Sequence, residues 1–346
     1  MTTLRYLVRR LVSLVLIIVG VTLLTFILTH AIPGVDPLSA YITQATPISQ
    51  YPAIAKEYGL DKPLYEQYFY YLWGLIHGNW GYSATAAMPV SQAIVSFFPA
   101  TFELTIVALA ISTVLGILLG ILSAVRSNKL ADHASRVFSI STISIPSFWL
   151  GLLFQFVFFL QLKSHGLPYL PSSGRVDATI AAIHPLHQIT GLYLLDSLIQ
   201  GNWLFFESAL AHIILPACTL ALVTTGIKAR VVRASVLEVL KSELVTAALA
   251  RGVPMRVVVF KHVLKNSLIP IISVVGLSFA YLLTGAVLVE TVFSWNGMGQ
   301  WAADAILNND SAAIVGFALF SAIIFVVVNL LVDIAYTIVD PRIRIA

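Results

Sequence analysis

The sequence is poor in charge. Only 10% of its 346 residues are Asp, Glu, Lys or Arg, while 58% are hydrophobic. A soluble domain carries about 25% charged residues. This chain therefore lacks the polar surface that water demands, and a bilayer is its natural solvent. Cysteine is nearly missing as well. The single Cys218 excludes an intramolecular disulfide and sits in an apolar run, where it serves packing. No GxxxxGK[ST] phosphate loop occurs, so the chain does not bind ATP by that route. HExxH and GxSxG are also lacking, which removes the zincin and serine-hydrolase signatures. There is no fixed-period repeat and no low-complexity tract. The formal charge of +4 is no sign of a nucleic-acid partner, because its distribution matters more than its sum.

What is present is long apolar runs. A membrane-crossing helix needs about 20 mostly apolar residues. Six segments qualify: 10–31, 101–125, 136–162, 209–232, 268–290 and 312–339. The first follows Arg5, Arg9 and Arg10, and its apolar stretch exceeds the roughly 7–15 residues of a cleaved signal peptide. An uncleaved first span is expected. Pro146 falls in the third segment and Pro216 in the fourth. Neighbouring helices can satisfy the carbonyls that proline frees, and both positions are candidate kinks along a pathway. The fold class expected is all-α and polytopic. It divides into an N-terminal segment with the first helix (1–31), an extracytoplasmic segment (32–100) and a core with five further helices (101–346). An extracytoplasmic insertion (163–208) and a loop (234–267) belong to that core.

Lys and Arg set the orientation. With the N-terminus cytoplasmic, sixteen of the twenty fall on the inside and only Lys56, Lys62, Lys163 and Arg175 outside. Both termini are thus expected in the cytoplasm of a multi-pass cell-membrane protein. Half of the inside charges, from Lys228 to Lys265, lie at the end of the fourth segment and in the loop that follows it. Residues 234–250 fit a helix with Val236, Leu237, Leu240, Leu244 and Ala247 on one apolar face. Gly252 and Pro254 should end it. A second short helix follows, with Val257, Phe260, Val263 and Leu264 apolar and Arg256, Lys261 and Lys265 basic. Two short helices at a fixed angle form a knob that can pass a partner's rotation into the spans. Small residues such as Ala247 and Ala248 let a partner surface approach closely. On residue types alone, a basic loop that only enforces topology is the other reading.

Acidic residues at the spans are few: Glu103, Glu290, Asp333 and Asp340. A charge at mid-bilayer costs about 2.5–3.5 kcal/mol on insertion scales, so each should meet water, a partner helix or a basic group. Glu103 and Glu290 sit near the outer ends and are either helix-end anchors or contacts for cargo in a pathway. Asp333 is expected to pair with a basic group such as Arg342. His165, His184, His187 and His212 lie in or beside the second outer region. A metal site needs several ligands in one geometry, and Pro185 interrupts helical spacing between His184 and His187. They are read as loop and packing residues, with no metal.

The loop's motif resembles a known device. Glu243, then Thr246-Ala247-Ala248, Gly252 and Leu268-Ile269-Pro270 are similar to the ATPase-docking loop of ABC importer permeases, in their oligopeptide, dipeptide and nickel branch. In that branch the first acidic position is often basic; here it is Thr246. Other stretches agree: Tyr6-Leu7-Val8-Arg9-Arg10-Leu11, Gly59-Leu60-Asp61-Lys62-Pro63, Gly78-Asn79-Trp80-Gly81-Tyr82-Ser83, Pro99-Ala100-Thr101-Phe102-Glu103-Leu104, Glu290-Thr291-Val292-Phe293-Ser294-Trp295 and Asp340-Pro341-Arg342-Ile343-Arg344. The long first outer segment is similar to that of the B-type subunit of a heterodimeric pair. The resemblance implies a type I importer fold with cytoplasmic coupling helices. It implies a homologous permease partner, two ATPase subunits that carry ATP and Mg, and an extracytoplasmic binding protein. It assigns coupling to Glu243, Thr246, Ala247, Ala248, Gly252 and Pro270, and leaves Glu103, Pro146 and Glu290 as pathway or gate candidates. Peptides are the leading cargo, with oligosaccharides and nickel as alternatives.

Two other classes compete. An ion-coupled secondary transporter needs an intramembrane charge relay and usually inverted repeats, and neither is visible. A membrane-embedded hydrolase needs a nucleophile and base that converge, and no such pairing is recognisable.

Overall fold

The computed structural model describes residues 3–30, 36–42 and 46–339. Helices dominate, because long runs of Leu, Ile, Val and Ala can satisfy every backbone group internally. We number the principal elements α1 (Thr3–His30), α2 (Tyr51–Glu57), α3 (Leu64–Ile76), β1 (Tyr82–Ser83), β2 (Met88–Pro89), α4 (Val90–Val125) and α5 (Leu130–Ser144). There follow α6 (Ser147–Ser164), α7 (Ala178–Ile183), α8 (Tyr193–Ile199), α9 (Trp203–Leu240) and α10 (Glu243–Ala250). The chain continues through α11 (residues 255–266), α12 (Leu268–Gly285), α13 (Val287–Phe293), α14 (Met298–Leu307) and α15 (Ser311–Val339). The strands form one small antiparallel hairpin.

Among the described residues five helices are long and apolar enough to cross a membrane: α4, α6, α9, α12 and residues Ser311–Tyr336 of α15. In α1, expected as the first of six spans, the described apolar stretch is Val15–His30. Several boundaries differ from those expected. The helix expected from residue 101 begins at Val90 and absorbs Pro99. The segment expected at 136–162 is two helices. Ile145 is extended (ψ 126°), the conformation favoured before proline. Pro146 therefore precedes α6 rather than kinking a continuous span. The expected 268–290 span likewise divides at Ala286.

Helices α4 and α9 form the axis of the bundle. They contain 36 and 38 residues, about 54 and 57 Å at 1.5 Å per residue. Both outreach a hydrocarbon layer of about 30 Å. Gly116 and Gly120 let them touch: a Cβ on Gly116 would lie 2.6 Å from Lys228 Cβ, and one on Gly120 2.6 Å from Val232 Cβ. Small residues one turn apart permit this backbone approach in lipid. Lys228, counted among the inside charges, is buried within α9, and its ammonium donates to Ser112 Oγ on α4. The aliphatic stem packs while the amine finds the nearest acceptor.

Three apolar clusters follow along this axis. One surrounds Leu104, Ile213, Leu220, Leu282, Phe293 and Trp295. A second, at the N-terminal end of α4, joins Val90, Ile94, Met298, Trp301 and Ala313. The third lies at the other end of α4 and includes the loop after α9. Replacing Gly120 with Leu should therefore force α4 from α9. Overpacking costs about 1–3 kcal/mol, and the unfolding midpoint in detergent should fall by about 2–4 °C per kcal/mol. An unchanged midpoint would show that the close crossing is not needed.

Candidate functional site

The loop after α9 is folded, and it differs in phase from the sequence pattern. The helix expected over 234–250 stops at Leu240. Lys241 and Ser242 make a turn, and α10 starts again at Glu243. The break resets the helical face. Val245 and Ala248 point inward, while Leu244 and Ala247, grouped by the sequence pattern on one apolar face with Val236, are exposed. The same holds in α11: Val258, Val259 and Val263 are buried and Phe260 is 58% exposed. Val245, Ala248, Val258, Val259 and Val263 join Ile121 of α4, Val232 and Val236 of α9, and Ile271 of α12 in one cluster. The loop is thus packed onto three spans at once.

Gly252 ends α10. Its φ of +76° is left-handed, its N–H donates to Leu249 O (2.9 Å), and the Val253 N–H donates to Ala248 O (3.2 Å). This is the Schellman arrangement, in which glycine avoids the Cβ penalty. Val253 completes it by packing on the cluster. Of the residues assigned to coupling by resemblance, Glu243, Thr246 and Ala247 are exposed on α10 and Gly252 is exposed at its end. Ala248 is buried against the chain's own core, and Pro270 lies in the first turn of α12, half-buried. Leu244, Leu249, Met255 and Phe260 leave an apolar rim around the exposed face.

A polar clasp sits beside this loop. Asp132 on α5 is buried and accepts from Arg233 Nε (2.7 Å) and Nη2 (2.8 Å), Ser123 Oγ (2.5 Å) and the Asn128 N–H (2.9 Å). The two-pronged Arg233 contact is the strong form of a charge-assisted hydrogen bond. Arg233 holds the Asp132 carboxyl well below the usual carboxylate range, helped by Ser123 and Asn128 against the opposing effect of burial. The sequence pattern gave no reason to choose Asp132. A lowered native pKa adds stability that is complete above the ordinary value near 3.9 and is lost as pH falls through the native value. Asp132→Asn should therefore lower the unfolding midpoint at pH 7, and the gap from the parent should narrow only below about pH 4. A gap that is constant down to pH 3 would contradict the clasp.

At the far end of α4 the two carboxylates proposed as gates are held by the chain's own groups. Glu103 accepts from Arg175 Nη2 (2.8 Å) and from the Leu194 N–H (2.7 Å). Arg175 also donates to Gly191 O (3.0 Å), and its guanidinium lies 3.6 Å from the Tyr193 ring centre. Glu103 thereby pins the 163–208 insertion to the bundle. Within that insertion, burial pushes the Asp196 carboxyl up, but hydrogen bonds from Thr190, Ile189 and Gly191 outweigh it and the net shift is down. Glu290, on α13, is fully buried with its carboxylate at the start of α14. It accepts from Thr101 Oγ1 (2.6 Å) and the Gln300 N–H (3.0 Å), while the Met298 N–H donates to Thr101 Oγ1 (2.8 Å). A carboxylate at a helix N-terminus is electrostatically favoured. Pro146 stands apart from both, where α6 begins. Between the insertion and α4 lies an open cavity of about 560 Å³, lined by Phe97, Pro99, Arg175, Thr190, Tyr193 and Asn296.

The histidines do not converge. His165 contacts Gln161 O, His212 contacts Ser208 O, and the backbones at His187 and His184 meet Gln200 and Asn202. Among the described residues no group of three His, Cys, Asp or Glu is placed to hold a metal. Asp333 is nearly buried on α15, and Arg342, its expected partner, lies outside the described residues.

Comparison with known proteins decides the family. Residues 116–345 match the model of the binding-protein-dependent transport system inner membrane component, and residues 3–105 match the N-terminal model of such membrane components. This chain belongs to that family. It is 44% identical over 331 residues to the probable D,D-dipeptide transport system permease protein DdpB of Escherichia coli (strain K12), covering 96% of this chain and 95% of that one. It is 36% identical over 342 residues to the dipeptide transport system permease protein DppB of the same strain, covering 99% of each. It is 32% identical over 341 residues to the glutathione transport system permease protein GsiC of Pectobacterium atrosepticum, again covering 99% of each. The resemblance read from the sequence is borne out. The chain is a multi-pass inner-membrane permease of an ABC importer, in the peptide branch, and a transport subunit rather than an enzyme.

The clasp at Glu103 carries a prediction. Arg175→Met should leave a buried carboxylate without its cation, which typically costs about 3–5 kcal/mol. Limited proteolysis should then cut the 163–208 insertion faster, and Glu103→Gln in the same chain should restore part of the protection. Equal cleavage in parent and variant would contradict the anchor.

Proposed function

We propose that this permease imports dipeptides by alternating access, driven through the loop formed by α10 and α11. It works beside a homologous permease, with two ATPase subunits that bind ATP and Mg and a binding protein that delivers cargo. The loop and both termini face the cytoplasm, and the cavity beside Arg175 faces the side of delivery. In this reading residues 1–31 and 32–100 precede a core at 101–346.

One arrangement carries the reading. The α10–α11 loop buries one face in the cluster with Ile121, Val236 and Ile271, and it leaves Glu243, Leu244, Thr246 and Ala247 bare on the other. An ATPase seated on the bare face moves α4, α9 and α12 together. Its leverage is differential binding to the two states of the spans. Ala248 and Gly252 shape the loop from within, and Pro270 starts the span that receives the motion. Glu103 and Glu290 belong to the opposite end, where they hold the walls of the outer gate, and Pro146, apart from them, starts the α6 span beside the pathway. Peptide cargo is favoured over oligosaccharide or nickel by the names of the relatives, which specify dipeptides and glutathione.

The exposed and buried alanines separate docking from folding. Ala247→Glu should leave the unfolding midpoint within about 1 °C, since exposed substitutions change stability by no more than about 0.5 kcal/mol. It should nevertheless reduce ATP-dependent dipeptide uptake at least tenfold. Ala248→Glu should instead destabilise the chain itself, by burying an unpaired charge. Full uptake by the folded Ala247→Glu variant would refute docking at this face.

A further inference from the structure

A cavity of about 400 Å³ opens between α5 and α9, next to the Asp132 clasp but not part of the docking face. Arg136, Arg230 and Arg233 line it, with Ser135 and Ser139 behind them and Ile140 at its edge. Asp132 sits behind Arg233 and neutralises one of these charges, so two positive charges remain. Arg230 is exposed and donates no hydrogen bond within the described residues. Arg136 keeps one guanidinium nitrogen on His133 Nδ1 (2.8 Å) and another 3.6 Å from Asp132, and is 44% exposed.

The depth of this cavity is set by α9. Residues 208–227 contain no Asp, Glu, Lys or Arg and span about 30 Å, the thickness of the hydrocarbon layer. Arg230 and Arg233 therefore emerge at the boundary where phosphates of the lipid headgroups lie. Beside the cavity, α5 turns Val137 (64% exposed) and Ile140 (58% exposed) outward. A cationic pocket bordered by bare apolar side chains matches an amphiphile with an anionic head. We propose that this cavity binds the phosphate of an anionic phospholipid, with Arg136 and Arg230 at the headgroup and Val137 and Ile140 along an acyl chain. Basic pockets between membrane helices recognise lipid headgroups in this way. The site would tether α5, and through Asp132 and Arg233 the end of α9, to the leaflet surface.

The test uses the purified full-length chain, delipidated in detergent and offered phosphatidylglycerol and phosphatidylcholine in equal amounts. Native mass spectrometry should find phosphatidylglycerol retained about tenfold over phosphatidylcholine, as the net double positive charge of the three arginines and Asp132 requires. Arg230→Gln, which breaks no internal bond, should reduce that preference to about twofold, and Arg230→Lys should restore most of it. No preference in the parent protein, or an unaltered preference in Arg230→Gln, would overturn the proposal. Displacement of the lipid by millimolar inorganic phosphate would assign the site to free phosphate and overturn the lipid reading. Loss of bound lipid when a second permease is co-purified would assign the face to that protein, with the same consequence.

Discussion

The apolar contact between the α10–α11 loop and the ends of α4, α9 and α12 is the constraint on which the structure depends. Val245, Ala248, Val258, Val259 and Val263 are all nearly inaccessible, and their neighbours in the cluster come from three separate spans. A loop outside the hydrocarbon layer gains from burial in water, whereas helices inside lipid do not. The hydrophobic effect thus acts most strongly at this point, between the loop and the bundle. Deleting one buried valine side chain would leave a cavity at the junction. The loop therefore cannot shift without the spans or without opening that cluster.

Charge is used sparingly and in pairs. Asp132 with Arg233 ties α5 to α9 near the loop, and Glu103 with Arg175 ties the insertion to the far end of α4. Glu290 instead meets hydroxyl and backbone donors at the start of α14. Each carboxylate is buried, and a buried carboxylate persists only where donors replace the lost water. The three ties bracket the α4–α9 axis at both ends. Between them the close crossing at Gly116 and Gly120 keeps the two helices in register.

The spans and the helical loop after α9 were legible because they rest on local pattern. Apolar runs, the positive charges between them and the Gly252 stop all act within a few residues. The ties were not legible, since Asp132 and Arg233 are 101 residues apart and Glu103 and Arg175 are 72 apart. Helix phase failed at one place for a definite reason. The sequence at Lys241 and Ser242 carries no glycine or proline, yet the helix turns there, and every later residue changes face. Hence Val245 and Ala248, rather than Leu244 and Ala247, are buried. At Pro146 the proline was visible, but its effect was a helix start and not a kink, because Ile145 takes the extended conformation favoured before proline, whereas Pro99 and Pro216 stay inside helices.

The most direct measurement of the central claim is disulfide or bifunctional cross-linking from single cysteines at Thr246, Ala247 and Val245, in a chain whose Cys218 is replaced by Ala. With the ATPases co-expressed in membranes, Thr246→Cys and Ala247→Cys should cross-link to an ATPase subunit, and the yield should change between ATP-bound and nucleotide-free states. Val245→Cys should not cross-link in either state. Absence of any ATPase adduct at 246 and 247, or labelling of those positions by an impermeant thiol reagent added outside intact cells, would contradict the account.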